Sequence, residues 1–205
     1  KTDVMQSAHV YFKLARQLIR PPAATLIAVG GLSGTGKSAL SSALAPNILP
    51  QPGAIVLRTD VLRKQQFEAD EADRLPESAY QLDITRKIYE ILAQRASRII
   101  SRGHSVIVDA VFAHESERIA IDGIARKLGV RFVGFFLEAS LATRQGRIGR
   151  RERDASDATI EVAEMQEKYD IGVVGWTIID ASGTPEQTLG QCLAHFIRDE
   201  TAQAN

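Results

Sequence analysis

A glycine-rich loop that directly follows an apolar run constrains this chain more than any other feature. Residues 24–30, ATLIAVG, form a continuous apolar run that predicts a strand buried on both faces. Residues 30–38, GGLSGTGKS, overlap the end of this run and contain the pattern G-x-x-x-x-G-K-[ST], which begins at Gly31. A helix is predicted from Lys37. Strand, loop and helix in this order predict a phosphate-binding loop (P-loop), whose glycines allow successive backbone N–H groups to point at phosphate oxygens.

The P-loop pattern predicts a role for each of its polar groups. Lys37 is expected to reach the β- and γ-phosphates of a nucleotide, and Ser38 to bind Mg²⁺. The following helix adds its positive N-terminal end to the same anion site. The residues predicted to bind the nucleotide are Ser33, Gly34, Thr35, Gly36, Lys37, Ser38 and Ala39.

Apolar runs and helical patterns alternate along the rest of the chain. Further strands are predicted at 54–59, 104–110, 131–139 and 176–181. Further helices are predicted at 60–67, 78–102, 114–128, 157–169 and 185–198, and through the arginine-rich stretch after residue 139. This alternation predicts a three-layer α/β fold with one five-stranded parallel sheet between two layers of helices. Ligands of such sheets bind at the carboxyl ends of the strands, so the residues after each strand are the candidates for chemistry.

The first 22 residues precede this alternation. Residues 4–20 place apolar side chains on one helical face, and Pro21 and Pro22 end that helix. We therefore expect residues 1–22 to be a linker or docking helix, and residues 23–200 to be the P-loop domain. No apolar run reaches the ~18 residues of a membrane span, and no signal peptide is visible. We expect a cytoplasmic protein with no membrane partner.

Asp60 and Arg63 follow the second strand, three residues apart at the start of a helix. This spacing places them at neighbouring positions on one helical face. An aspartate there is suited to accept the proton of an acceptor hydroxyl, and an arginine beside it to hold an anionic group. Capping of the helix by Asp60 is the alternative interpretation.

Asp109 ends the third strand in the sequence SVIVDA, which is the Walker-B pattern. The carboxylate of this pattern supports Mg²⁺, and we expect Asp109 to do so through a water ligand. The next residue is Ala110, whereas hydrolytic ATPases of the AAA and helicase type commonly have a glutamate there that polarises water. The chain also lacks the N-K-x-D sequence that recognises guanine. Transfer to an acceptor is therefore favoured over a dedicated ATPase or GTPase.

The fourth strand leads into the arginine-rich stretch RQGRIGRRERDASDA. Arg147 and Arg151 lie four residues apart and would share one helical face. A mobile arginine-rich lid is a usual means for a kinase to neutralise charge in phosphoryl transfer. A solvated basic face that touches RNA is the alternative. Acidic residues are mixed into the stretch, and the chain has 25 basic and 25 acidic residues, so a nucleic-acid partner is not expected.

Four segments together, GGLSGTGKS, LRTDVLRK, GHSVIVDAVF and RRERDASDA, resemble the small P-loop kinase-like proteins of the group that contains gluconate kinase, chloramphenicol phosphotransferase, zeta toxins and polynucleotide kinase. The resemblance is greatest to the ATP-binding half of bifunctional proteins that begin with an aminoglycoside-phosphotransferase-like domain. It implies the strand order 2-3-1-4-5. It also implies an acceptor site at Asp60 and Arg63, packing of Arg147 on adenine, and a lid role for Arg151.

These observations predict a phosphotransferase that uses ATP and Mg²⁺ and moves the γ-phosphoryl group to a hydroxyl of a small molecule. The predicted catalytic residues are Lys37, Asp60 and Arg151, the acceptor-binding residues Asp60 and Arg63, and the metal ligands Ser38 and Asp109. No role follows from the sequence for Asp154 or Asp157.

Alternatives to this function remain open at the level of sequence. They are an ATP-binding regulatory module or slow ATPase that controls a partner domain, a toxin-like sugar-nucleotide kinase, and a polynucleotide 5′-kinase. The resemblance also implies an aminoglycoside-phosphotransferase-like domain as a partner within a longer protein.

Overall fold

The computed structural model describes the backbone of residues 2–150 and 155–203 and the side chains of residues 4–150 and 155–196. Within these residues, the strands are β1 Thr25–Gly31, β2 Ile55–Arg58, β3 Val106–Asp109, β4 Arg131–Glu138 and β5 Thr177–Asp180. The α-helices are α1 Thr2–Ile19, α2 Lys37–Leu44, α3 Thr59–Gln66, α4 Leu82–Ile100, α5 Glu115–Leu128, α6 Leu141–Gly149, α7 Ile160–Gln166 and α8 Pro185–Gln203. The predicted alternation of strands and helices is confirmed.

The five strands form one parallel sheet in the order β2-β3-β1-β4-β5. This is the order that the resemblance implies, and the α/β prediction is confirmed. The central strand β1 pairs Val29 with Asp109 of β3, and Gly31 with Leu137 of β4. Arg58 of β2 pairs with Asp109 from the other side. The carboxyl ends of β1, β2 and β3 therefore meet at the edge of the sheet where the P-loop begins.

Alternate residues of β1 fill two hydrophobic cores on opposite faces of the sheet. Leu26 and Ala28 pack in the core with α4 and α5, whereas Ile27 and Val29 pack in the core with α2 and α8. All four side chains are fully buried, which explains the uninterrupted apolar run. Cys192 of α8 lies in the second core, where burial raises the pKa of its thiol to about 12.

Helix α1 confirms the helix that was predicted before the two prolines, but its apolar side chains are exposed. Val4, Tyr11 and Ile19 keep 72, 73 and 79% of their surface in solvent. The role of this helix as a linker or docking element stays a prediction, as does the domain boundary after residue 22. In the part of the chain that the structure describes, no helix combines the length and apolarity that a bilayer crossing requires.

Helix α4 begins later than the predicted residue 78. Gln81 has an extended backbone with ψ 153°, so the helix starts at Leu82 and Glu77–Tyr80 form a separate 3₁₀ turn. Tyr80 therefore lies outside the long helix, although the prediction of a helix at 78–102 included it, and it is 43% exposed. This change turns its side chain towards residues of the candidate site.

Trp176 packs between helices and sheet against two phenylalanine rings. Its ring centroid lies 5.1 Å from that of Phe112 and 5.8 Å from that of Phe132. The indole also lies directly on Gly134 of β4, where an added Cβ would be 2.4 Å from the indole Cγ. A side chain at position 134 would therefore displace the tryptophan.

We expect Gly134→Ala to lower the free energy of unfolding by about 1–3 kcal/mol, because the new methyl group overlaps the indole. Urea unfolding measures the change. Gly123→Ala in α5 is the matched control, since among the described residues no atom outside its neighbours and its own helix backbone lies within 4 Å of its added Cβ. We expect that control to gain about 0.5–1 kcal/mol from helix propensity. Equal effects of the two substitutions would contradict the packing argument.

Candidate active site

The P-loop follows β1 and ends at the first turn of α2. Gly34 and Gly36 have φ values of 86° and 96°, in the left-handed region that favours glycine. Gly34 also lies against the backbone of α6, where an added Cβ would be 2.7 Å from the carbonyl oxygen of Arg144. The loop is therefore tightly folded, as a loop that binds an anion through its backbone requires.

Lys37 lies at the first position of α2 and bends back over the loop. Its ammonium group donates a hydrogen bond to the carbonyl oxygen of Leu32 at 3.2 Å. Its charge also lowers the pKa of Asp109, although burial raises that pKa more. Lys37 is thus close both to the predicted phosphate site and to the predicted metal site.

Ser38 and Asp109 meet at the carboxyl ends of β1 and β3. The Ser38 hydroxyl donates a hydrogen bond to Oδ2 of Asp109 at 2.6 Å, and Arg58 Nε lies 3.5 Å from the same oxygen. The carboxylate is buried, and burial raises its pKa above the usual value. A hydroxyl and a carboxylate are the oxygen ligands that suit Mg²⁺, so the paired side chains fit the predicted metal.

Asp60 and Arg63 lie on α3, which begins at Thr59. Asp60 is therefore within the first turn and is not the capping residue. Arg63 is buried; its Nη1 donates to the carbonyl oxygen of Ala79 at 2.5 Å, and its guanidinium lies 4.7 Å from the centroid of the Tyr80 ring. Burial lowers the pKa of Arg63, and the charge of Asp60 opposes this effect.

The Nε–H group of Arg63 is buried and has no hydrogen-bond partner among the residues that the structure describes. A buried donor without a partner costs about 1–3 kcal/mol. The guanidinium therefore has one donor that no described residue satisfies.

Arg147 links the P-loop to the loop that follows β5. Its Nη1 donates to the carbonyl oxygen of Thr35 at 3.2 Å, and its Nη2 donates to those of Ala181 and Gly183 at 2.7 and 2.8 Å. The predicted packing on adenine stays a prediction. Arg151, the predicted lid arginine, lies outside the described residues, and so does Asp154.

A family comparison matches residues 26–170 to the AAA_33 family, described as an AAA domain. The match includes the P-loop, the Walker-B strand and Arg147. The chain belongs to the AAA_33 family.

Proteins similar to this AAA_33 domain include three uncharacterized proteins of Mycobacterium bovis and Mycobacterium tuberculosis, each 28% identical over 199 residues. The match covers 93% of this chain and 38% of each relative. The chain thus spans less than half the length of these relatives.

Several solved structures with the same fold are named as kinases. A putative kinase from Chloroflexus aurantiacus has a TM-score of 0.63 at 19% identity, covering 90% of this chain and 100% of that one. A gluconokinase from Sinorhizobium meliloti has a TM-score of 0.59 at 19% identity, with 90% and 98% covered. The Mycobacterium tuberculosis APS kinase in complex with AMPPNP and APS has a TM-score of 0.55 at 16% identity, with 85% and 98% covered. The fold group named by the sequence resemblance is confirmed.

Two residues that the sequence did not single out hold the P-loop of this AAA_33 domain. Arg144 of α6 is buried and donates to the carbonyl oxygens of Ser33 at 3.3 Å and Ala163 at 3.4 Å, and to the carboxylate of Glu167. The side-chain oxygen of Gln166 accepts a hydrogen bond from the backbone N–H of Ser33 at 2.7 Å. Helices α6 and α7 therefore both contact the P-loop. The position of Arg144 on the inward face of α6 was the one sequence signal that could have identified this residue.

Lys64 and Asp157 form a buried ion pair that was also not predicted. Lys64 Nζ lies 3.0 Å from Oδ1 of Asp157 and donates to the carbonyl oxygen of Glu71 at 2.8 Å and to that of Asp73. Helix α7 begins at Ile160, so Asp157 lies in the irregular segment before it. The pair connects α3 with this segment and with residues 67–80.

A cleft of about 440 Å³ lies between α4 and α5 and is lined by polar and apolar side chains, among them Arg86, Tyr89, Ala93, Phe112, Glu117 and Ala120. Phe112, which lies three residues after Asp109, forms its inner wall. The backbone N–H of Phe112 donates to the Tyr89 hydroxyl at 3.0 Å. Arg118 supports the wall by donating to the carbonyl oxygens of Phe112 and Ala113 at 2.7 and 3.0 Å. The volume is in the range of small-molecule sites.

We expect Gln166→Leu to raise the dissociation constant of ATP about tenfold, because it leaves the buried N–H of Ser33 without an acceptor. Titration calorimetry with ATP measures the change. Gln145→Leu is the matched control: Gln145 donates to Glu164 at 2.8 Å in an exposed bond between α6 and α7, away from the P-loop. ATP affinity equal in the two variants would contradict the role of Gln166.

Proposed function

We propose that this chain is an ATP- and Mg²⁺-dependent phosphotransferase that moves the γ-phosphoryl group of ATP to a hydroxyl of a small molecule. The observation that carries the proposal is the location of Asp60. Arg58, two residues before Asp60, pairs with Asp109 in the sheet, and its Nε lies 3.5 Å from Oδ2 of Asp109. Arg63 lies three residues after Asp60 on the same helix, α3. The residues proposed for the metal and those proposed for the acceptor are thus neighbours, which supports a single transfer site.

In the proposed reaction, the acceptor oxygen forms a bond to the γ-phosphorus while the bond to the bridging oxygen breaks. The acceptor proton passes to the carboxylate of Asp60, and ADP leaves with the bridging oxygen. Lys37 stabilises the charge on the phosphates, and Arg63 holds a polar or anionic group of the acceptor. Ser38, and Asp109 through a water ligand, would hold Mg²⁺, which would supply positive charge to the phosphates.

The comparisons support this reaction at the level of its class. A gluconokinase, a sugar kinase and an APS kinase share the fold, and one of these structures holds AMPPNP. Ala110 after Asp109 supports transfer to an acceptor over hydrolysis. We further propose that Arg151 acts as a catalytic lid residue, that Arg147 contacts adenine, and that the reaction takes place in the cytoplasm.

Transfer is tested by incubating the protein with γ-labelled ATP and a panel of hydroxylated metabolites, and then separating labelled products. We expect Lys37→Ala to abolish labelling. We expect Asp60→Asn to lower kcat at least about 100-fold, as the loss of a general base does, while the dissociation constant of ATP changes little.

Asp83→Asn is the matched control for Asp60→Asn, because Asp83 is an exposed carboxylate in the first turn of α4. Its turnover should equal that of the wild type. A kcat for Asp60→Asn within a factor of about two of the wild type would show that Asp60 is not the base, since a general base contributes far more than that.

We also propose that the part of the acceptor that does not react binds in the cleft between α4 and α5. Phe112, which forms its inner wall, follows Asp109 at the same edge of the sheet as Lys37. The lining combines apolar groups with Arg86, Tyr89 and Glu117. Such a lining suits an acceptor with an apolar body as well as hydroxyl groups.

We expect Ala120→Trp to fill this cleft and to raise the KM of the acceptor found in the panel about tenfold, with the KM of ATP unchanged, because the contacts of a bound body are worth about 1–3 kcal/mol. Ile119→Trp is the matched control: Ile119 precedes Ala120 on α5, is 56% exposed and does not line the cleft. An unchanged acceptor KM in Ala120→Trp would mean that the acceptor body lies elsewhere.

A second candidate function is control of an adjoining domain by ATP binding or slow hydrolysis. It is favoured by the length of the relatives, of which this chain covers 38%, and by the exposed apolar side chains of α1. An aminoglycoside-phosphotransferase-like domain is the partner that we propose for this case. The same labelling assay, run with and without the metabolite panel, distinguishes the two functions: labelled phosphate as the sole product in every reaction would favour control over transfer.

A further inference from the structure

The carboxylate of Asp157 holds the segment that carries Tyr80. The Tyr80 hydroxyl donates to Oδ2 of Asp157 at 2.6 Å, and the backbone N–H of Leu75 donates to the same oxygen at 3.0 Å. Lys64 occupies Oδ1 at 3.0 Å. Although burial raises the pKa of Asp157, the hydrogen bonds from Tyr80, Leu75 and Lys64 hold it below its usual value. The carboxylate is therefore ionised at neutral pH, with donors on both oxygens.

The orientation of Arg63 depends on the same segment. Its guanidinium donates to the carbonyl oxygen of Ala79 and lies over the ring of Tyr80, two adjacent residues of the 3₁₀ turn. Its Nε–H finds no partner among the described residues. A shift of this turn would therefore move both groups that fix the guanidinium.

We propose that Asp157 is a positioning residue of the acceptor site, which acts through Tyr80 and the 3₁₀ turn to hold Arg63 beside Asp60. The proposal rests on the proposed function, in which Arg63 binds the acceptor. It gives the second aspartate of the D-A-S-D-A segment a role that the sequence left open.

The proposal separates acceptor binding from nucleotide binding. The chain of contacts from Asp157 to Tyr80 to Arg63 does not include the P-loop, which is held instead by Arg144 and Gln166. Loss of the Asp157 carboxylate should therefore loosen Arg63 and leave ATP binding unchanged. A purely structural role would weaken binding of both substrates or neither.

The first measurement is the exchange rate of the Arg63 Nε–H proton with water, followed by NMR of protein labelled with ¹⁵N-arginine. Arg63→Lys assigns the signal. We expect Asp157→Asn to accelerate exchange about tenfold or more, because it removes hydrogen bonds to a charged acceptor. Tyr80→Phe keeps the ring over Arg63 but removes the hydroxyl, and we expect a smaller acceleration in the same direction.

Glu161→Gln is the matched control, since Glu161 is an exposed carboxylate on α7 whose hydrogen bonds, from Thr159 and from its own backbone N–H, do not involve Tyr80 or Arg63. Its Arg63 signal should equal that of the wild type. Tyr80→Phe also guards against misfolding of Asp157→Asn, because it changes a single, partly exposed hydroxyl.

The second measurement is steady-state kinetics with the acceptor found in the panel. We expect Asp157→Asn to raise the KM of the acceptor about tenfold, in line with the loss of one charge-assisted contact, while the KM of ATP stays within about twofold. Tyr80→Phe should shift the same constant in the same direction, and Glu161→Gln should shift neither.

The two measurements separate failure of this proposal from failure of the proposed function. An Arg63 signal that is unchanged in both Asp157→Asn and Tyr80→Phe overturns the positioning role, whatever the activity. A changed Arg63 signal together with an unchanged KM of the acceptor overturns the positioning role as well. If the wild-type protein labels no acceptor, the transfer function fails, and the Arg63 signal alone then decides whether Asp157 holds the guanidinium.

Discussion

The parallel pairing of β1 with β3 determines the position of the groups at the candidate site. Val29 and Asp109 are partners in the register, so the strand that starts the P-loop and the strand that carries the Walker-B aspartate end together. The first turn of α2 then brings the Ser38 hydroxyl within 2.6 Å of the buried carboxylate. A register shift of one residue would move the Asp109 side chain to the opposite face of the sheet and separate this pair.

Buried cations hold the irregular segments around this edge. Arg63, Lys64, Arg118 and Arg144 are all buried, and each donates hydrogen bonds to main-chain carbonyl oxygens of a loop or turn. Irregular backbone cannot satisfy its own carbonyl groups as helices and sheets do, and a guanidinium or ammonium group supplies several donors at one point. The loops of the site are therefore fixed by side chains from the helices.

The strands followed from the sequence, because short apolar runs mark them, and the sheet order followed from the resemblance to the small P-loop kinase-like proteins. A parallel sheet brings strand ends together, so Ser38 and Asp109 were expected at one edge, but their hydrogen bond was not predicted. The contacts of Gln166 and Asp157 did not follow, since their partners lie 133 and 93 residues away and include backbone groups, which carry no sequence pattern. Tyr80 was assigned to a helix because its spacing is helical; the extended backbone of Gln81 reverses that assignment. The roles of Asp60, Arg63, Arg147 and Arg151 remain predictions.

The surroundings of Trp176 also have a spectroscopic consequence. It is the only tryptophan of the chain, and its ring contacts Phe112, whose backbone N–H bonds to Tyr89 in the wall of the cleft between α4 and α5. Indole emission is sensitive to the packing and polarity around the ring. The tryptophan fluorescence of the unlabelled protein therefore comes from one known position. It can follow the entry of a molecule into the cleft without any introduced dye.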